Sequence, residues 1–248
     1  MLTDSSTEID LVRKKSLRDE VFDLLHQRIV AGKYSPGEWL RQEDISTQIG
    51  VSQTPVREAL DLLVSVGLAE RVPYRGVHVP ELTNHDIIDA YVLRLILESV
   101  AARLAALNAS QESIKDIYDL VERTKSLVTL EDMSHHRQLN KTFHLAIAEA
   151  SSVFLLGKIH EMVSNVFPDW RLYEYLFRHP ELLETSLDRE YQEHKTIIDA
   201  IAAHDPDRAS EKATHHIQNL GKELVEYLGI STELLHQKEG QINYIIRP

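Results

Sequence analysis

Apolar residues recur every three or four positions through most of this chain, in blocks separated by glycine, proline and small polar residues. That period is the signature of amphipathic helices. Val21, Leu24, Leu25, Ile29 and Val30 give a first helix its inner face. Ser16 and Asp19 stand ahead of it in capping-box positions. Gly32 and then Tyr34-Ser35-Pro36-Gly37 supply the chemistry that ends it. A short second helix spans Gln42–Ile49, with Ile45 and Ile49 inward and Gly50 as terminator. A third lies within Val51–Leu68, VSQTPVREALDLLVSVGL. Ser52 is its N-cap, Pro55 falls in the first turn, and Gly67 stops it. Val56, Leu60, Leu63 and Val64 form its apolar face.

The pattern then changes. Ala69–Val72 and Val77–Val79 are β-prone and flank the turn Pro73-Tyr74-Arg75-Gly76. Two helices joined by a tight glycine turn, followed by a hairpin, predict a winged helix-turn-helix ending near Pro80. Its third helix is the one that enters a DNA major groove. Gln53, Thr54 and Arg57 lie near that helix's start, away from the apolar face. Such side chains read base edges or hold phosphate. Arg75 and Gly76 sit at the wing tip, within reach of a minor groove. With Arg41 and Ser52 they complete the candidate DNA contacts.

After a hinge at Leu82-Thr83-Asn84 the helical period resumes and glycine vanishes until Gly157. Helices are predicted near Asn84–Ala106, Gln111–Val128, Glu131–Ala150, Ser152–Phe177, Leu182–Ala203 and Pro206–Leu228. Pro168 kinks or splits the fourth of these. The predicted architecture is mainly α: a disordered lead at 1–10, the winged helix-turn-helix at 11–80, a helical domain at 81–229 and a tail at 230–248. The tail is expected to hold a short helix after Ser231, then GQINYIIRP as a strand or arm.

Composition narrows the setting. The 248 residues contain no cysteine, so neither a disulfide framework nor a thiolate metal site is available. No apolar run is long enough for a membrane span, and the N-terminus lacks the layout of a signal peptide. A cytoplasmic protein is expected. The net charge of −12 looks wrong for a DNA binder, yet it is unevenly spread. Between Leu11 and Pro80 basic and acidic residues nearly cancel, ten against nine, so the acidity lies elsewhere. A local basic surface is what DNA binding requires.

The stretch SPGEWLRQEDISTQIGVSQTPVREALDLLVSVGLAERVPYRGVHV resembles the amino-terminal pattern of the GntR family of bacterial transcription regulators. VLRLILESVAARLAAL, NKTFHLAIAEAS, EHKTIIDAIAAHD and THHI resemble the ligand domain of its FCD branch, an all-helical bundle. The likeness runs over roughly Ser16–Leu228. It implies a homodimer on a near-palindromic DNA operator, more often a repressor. It also implies a small organic acid as effector and a divalent metal ion. Two positions depart from the family's pattern. Gln53 stands where Arg is usual, which favours adenine over guanine. Asn140 stands where the metal site usually begins with Asp.

The histidines fit that implication. Asn140 and His144 share one face of their helix, at the border of an apolar stripe through Leu139, Phe143, Ala146 and Ile147. His194 points into the core, among the directions of Leu187, Tyr191, Ile197, Ile198 and Ile201. His216 lies at the edge of the face formed by Ala209, Ala213, Leu220 and Leu224, while His215 points away. Three imidazoles on three helices are hard to bury without a common partner. An ion held by Asn140, His144, His194 and His216 meets that need. Zinc leads, with nickel and manganese as alternatives. His136 aligns with the stripe and reads as solvated. Arg94 and Glu98 form an i, i+4 pair, read either as a salt bridge at the bundle's edge or with Arg94 taking the effector's carboxylate. Arg171 is a second candidate for the effector.

Two rival functions remain open to the sequence. A metal-dependent hydrolase or lyase would need a general base beside the ion, and no HExxH-type string is present. A DNA-binding protein with a purely structural metal would have no effector.

Overall fold

A computed structural model describes residues 16–30, 33–65, 67–81, 83–129 and 132–246. The lead assigned to 1–10 and the predicted breaks at Gly32 and Leu82 lie outside these residues. Two compact units meet at the Pro80–Glu81 bond.

The first unit runs α1 (Leu17–Val30), α2 (Gln42–Ile49), α3 (Gln53–Ser65), β1 (Glu70–Val72) and β2 (Gly76–His78). Ser16 Oγ accepts the Asp19 amide and donates to its carboxylate at 2.6 Å, a cap for α1. Val21, Leu25 and Ile29 of α1 bury against the inner face of α3, where Val56, Ala59, Leu60 and Leu63 are also buried. Gly50 caps α2 at φ +71°, where a side chain is strained. That conformation turns the chain from α2 into α3 within a few residues. β1 and β2 pair antiparallel with Arg71 opposite Val77, and Trp39 bridges to His78 beside them.

The second unit is a bundle of α4 (Asn84–Asn108), α5 (Gln111–Thr124), α6 (Met133–Ala150), α7 (Phe154–Val166), α8 (Asp169–Arg178), α9 (Pro180–Ala202), α10 (Pro206–Leu228) and α11 (Thr232–Ile246). Thr83 and Asp86 make the capping box that opens α4. Pro168, which cannot donate a helical hydrogen bond, separates α7 from α8. α10 packs along α4 closely enough that a Cβ at Gly221 would lie 2.7 Å from the Tyr91 hydroxyl.

A smaller cluster of Met133, Tyr173, Phe177 and Leu187 and two large apolar cores fill the bundle. One gathers Ala101, Ala102 and Ala105 of α4 with Phe143, Ile147, Ile197, Ile201 and Ala213. The other gathers Ile87, Tyr91 and Leu95 with Val163, Phe167, Ile217 and Leu224. Glu98 falls between these stretches of α4, one turn after Arg94, and His216 between those of α10. The polar site occupies the seam.

The tail differs from expectation. GQINYI is not a strand or an arm; it continues α11 to Ile246. Leu235 and Ile242, two turns apart, bury in the second core with Ile230. Tyr91 donates to Glu239, and Lys238 pairs with Asp89 at 2.7 Å. A lone strand there would have no ladder partner, whereas a helix satisfies its own backbone.

Candidate functional site

In the first unit Arg41, Ser52, Gln53, Thr54, Arg57, Arg75 and Gly76 are all exposed. Gln42 donates to Gln53 at 3.1 Å, tying the start of α3 to α2. The Arg75 guanidinium lies over the Trp39 ring, 5.0 Å from its centroid. Arg71 pairs with Asp61. A cleft between α3 and the wing is lined by Arg41, Gln42, Arg57, Arg71, Arg75 and Gly76. Four guanidiniums in one concave surface give this unit, despite its near-neutral total, a local site for phosphate.

In the second unit one group of histidines, among the described residues, can hold a metal ion. Ligand atoms of His144 on α6, His194 on α9 and His216 on α10 lie within 4.8 Å of one another, and all three side chains are buried. Two carboxylates fix their tautomers. His144 Nδ1 meets Glu98 Oε2 at 2.7 Å, and His216 Nδ1 meets Glu193 Oε2 at 2.7 Å. A carboxylate only accepts, so each Nδ1 carries the proton and each Nε2 presents a lone pair. The Nε2 atoms of His194 and His216 face each other at 3.3 Å. His194 also stacks on Phe143, with ring centroids 4.1 Å apart.

Three buried atoms around the histidines have no hydrogen-bond partner: His144 Nε2, Asn140 Oδ1 and His160 Nε2, the last 3.5 Å from a Glu98 oxygen. Asn140 precedes His144 by one turn of α6. Its amide is oriented by a relay in which Asn140 Nδ2 donates to the Tyr173 hydroxyl at 2.7 Å and Tyr173 donates to Glu190 at 3.0 Å. The amide oxygen is thereby left bare. Bare imidazole nitrogens with an amide oxygen make a donor set that fits a divalent cation.

Burial keeps the His144 and His194 imidazoles neutral. Burial pushes the His144 pKa down to about 4, against the opposing pull of Glu98. Burial, with His216 and His144 nearby, holds His194 well below the usual value of 6.5. Glu98 would be pushed up by burial, but Arg94 and His144 outweigh that and keep it ionised. His136 contrasts with them. Burial lowers its pKa, yet Glu190 outweighs burial and raises it. An NMR titration of the metal-free protein is therefore expected to show the His144 and His194 ring protons unchanged from pH 8 to pH 5. Over the same range His136 protonates, with its midpoint above 6.5.

His136 is not solvated. It is buried, bonded to the Leu127 carbonyl at 3.2 Å and to Glu190 at 3.1 Å. The segment leading into α6 folds over the face that sequence periodicity leaves open.

A narrow, partly open cavity adjoins the histidines. Arg94, Asn140 and His216 line one end. Asp169, Tyr173, Arg189, Glu190, Glu193, Asn219 and Glu223 line much of the rest. Arg94 forms the salt bridge with Glu98 and also lines the cavity, but the pair is buried and not at the bundle's edge. Its Nε bonds Glu98 at 2.7 Å, both side chains are buried, and the guanidinium lies over Phe167 at the cavity. Arg171 is not among the lining residues. Sequence reasoning missed Glu98 and Glu193 as imidazole partners, and Tyr173 and Glu190 as the orienters of Asn140.

A winged helix-turn-helix followed by an all-helical domain with a buried polar cavity defines a DNA-binding transcription regulator. The chain belongs to the gntR family of bacterial regulatory proteins. The model of that family's DNA-binding region matches residues 17–79, and the model of the FCD domain matches residues 89–219. The chain is 31% identical to the Uxu operon regulator of Haemophilus influenzae over 82% of its length and 80% of the relative's. It is 28% identical to the probable D-xylose utilization operon transcriptional repressor of Paenarthrobacter nicotinovorans, over 82% of this chain and 87% of that one. Among solved structures it resembles Escherichia coli McbR/YncC, with a TM-score of 0.58 and 25% identity, covering 86% of this chain and all of the other. These matches identify a regulator and not an enzyme. Among the described residues no helix is long and apolar enough to cross a membrane.

Proposed function

We propose that this regulator is a metal-dependent sensor of a small organic acid, and that it represses as a homodimer on a near-palindromic operator. The observation that carries this reading is the pair of bare buried atoms, His144 Nε2 and Asn140 Oδ1, beside the facing nitrogens of His194 and His216. Those four residues would hold the ion, with zinc, nickel and manganese suited to the donors. The bound ion supplies positive charge for an anionic ligand. Arg94 completes the carboxylate's seat, because a guanidinium offers paired donors. Arg41, Ser52, Gln53, Thr54, Arg57, Arg75 and Gly76 make the DNA contacts. Repression accords with the name of the Paenarthrobacter relative. Operator release by the acid in the metal-loaded protein, absent in Arg94→Ala, tests the reading.

Asn140 sets the strength of the site. An amide oxygen brings no negative charge to the ion, so metal binds more weakly than it would to a carboxylate, and the ion keeps more charge for the acid. Asn140→Asp is expected to tighten metal binding about tenfold and weaken the acid. Calorimetric titration of both ligands checks this, and unchanged or weaker metal binding would remove residue 140 from the ligand set.

The second copy has an apolar surface to occupy. Leu93, Val100 and Leu107 recur at seven-residue spacing along α4 and are exposed. α7, packed on α4, exposes Phe154, Leu155, Ile159 and Met162. Apolar surface on this scale marks an interface. The double variant Leu155→Glu, Met162→Glu is expected to sediment as a monomer and to lose affinity for a two-half-site operator. A dimer that persists would place the interface elsewhere.

A further inference from the structure

Resting on that reading of the histidine site, we infer that His160 is a positioning residue: it fixes Glu98 from α7, and through Glu98 it aims the ligand His144.

His160 is 1% exposed, yet it is not among the residues that line the cavity. On the same side of α7, Leu156 lies in the first core and Val163 in the second. His160 falls between them, at the seam that holds Glu98 and His216. An imidazole is costly to bury there unless it bonds something. Its Nε2 lies 3.5 Å from Glu98 Oε1, and its Nδ1 lies 3.5 Å from the Ser164 hydroxyl one turn on. A carboxylate only accepts, so the proton belongs on Nε2, and Nδ1 accepts from the hydroxyl. His160 is not itself a ligand. Its ring centroid is 6.3 Å from that of His144, and it stands outside the group of imidazoles whose donor atoms converge.

The carboxylate it faces is the one behind His144. Glu98 Oε1 accepts from Arg94 Nε at 2.7 Å, and Oε2 accepts from His144 Nδ1 at 2.7 Å. Arg94 belongs to Glu98's own helix, so α4 holds one oxygen and α6 the other. An ionised carboxylate has about four acceptor sites, which leaves two open. A donor from a third helix fills one of them and stops the carboxylate from turning about its bond to Arg94. The fixed plane keeps Oε2 on His144 Nδ1, and that bond sets where His144 Nε2 points. The His160 contact is longer than the roughly 2.7–2.9 Å of a charge-assisted bond, and a shift of less than about 1 Å closes it. Packing alone gives the opposite expectation. Beside Leu156 and Val163, a leucine at position 160 would fill the seam and remove an unbonded polar atom.

The experiment is chelator competition for zinc on the full-length protein, in wild type, His160→Leu and His160→Gln. Glutamine brings an amide N–H close to the place of Nε2, whereas leucine brings bulk without a donor. His160→Leu is expected to bind zinc about tenfold more weakly, and His160→Gln within about threefold of wild type. A second readout uses no metal. In isotope-labelled, metal-free protein the His144 Nδ1 proton is expected to exchange with water about tenfold faster in His160→Leu, and at the wild-type rate in His160→Gln. Wild-type affinity and wild-type exchange in His160→Leu would overturn the inference. A greater loss in His160→Gln than in His160→Leu would overturn it in favour of packing. No zinc binding by the wild type would instead refute the metal site, and the exchange rates would still decide whether His160 acts on His144.

Discussion

Replacing His194 by alanine is expected to abolish divalent-metal binding, the largest effect of any single change in the second domain. His194 is 1% exposed, stacked on Phe143, with its Nε2 facing that of His216. Burial holds its pKa well below the usual value, so at neutral pH the ring is uncharged and can give up its bond to His216 to ligate the ion. Changing a residue that only supports a ligand typically costs about 10- to 100-fold in metal affinity. Losing a ligand outright exceeds that. Glu98→Gln provides the graded comparison. It keeps an acceptor for His144 Nδ1 but removes the negative charge that Arg94 and His144 share, and is expected to weaken metal about 10- to 100-fold. Competition with a chromophoric chelator measures both. A helical circular-dichroism signal and thermal melt matching those of the metal-free wild type confirm that the bundle of His194→Ala folds, since operator binding reports only on a unit with its own core.

Arg57→Ala is expected to weaken operator binding by about 1–3 kcal/mol and to reduce the salt slope by about one. Among the basic residues of the cleft, Arg71 is tied to Asp61 and Arg75 is stacked on Trp39. Arg57 is exposed one turn beyond Gln53, without an ion pair among the described residues. Gln53→Arg is expected to shift the preferred base from adenine toward guanine and keep affinity, because the amide and the guanidinium read different edges. Equal affinities of wild type and Arg57→Ala for a selected operator would remove Arg57 from the interface.

The sequence carried most of this architecture because its elements announce themselves locally. The break at Pro168 follows from a missing N–H, and the α2–α3 turn from Gly50. α11 was harder to see. Gly240 and an irregular apolar pattern hide its period, and its burial depends on Tyr91 and Ile87 nearly 150 residues earlier. His194 was legible because its helix points it inward, whereas His144 and His216 lie at the borders of their apolar faces and entered the set through the family resemblance. Their carboxylate partners were not. Glu98 faces His144, and Glu193 faces His216, only because α4 meets α6 and α9 meets α10. Helix crossings leave no trace in local spacing. Arg171 is set apart from the cavity by helix rotation. Tyr173 lines the cavity, and two residues back along a helix is a rotation of about 200°, which turns Arg171 away.

The central claim is that His144, His194 and His216, with Asn140, hold a divalent ion. Elemental analysis of protein purified without chelator tests it directly. The account predicts about one divalent ion per chain, lost in His194→Ala. Wild-type protein free of metal under those conditions, and unable to take up zinc, nickel or manganese on addition, would contradict it.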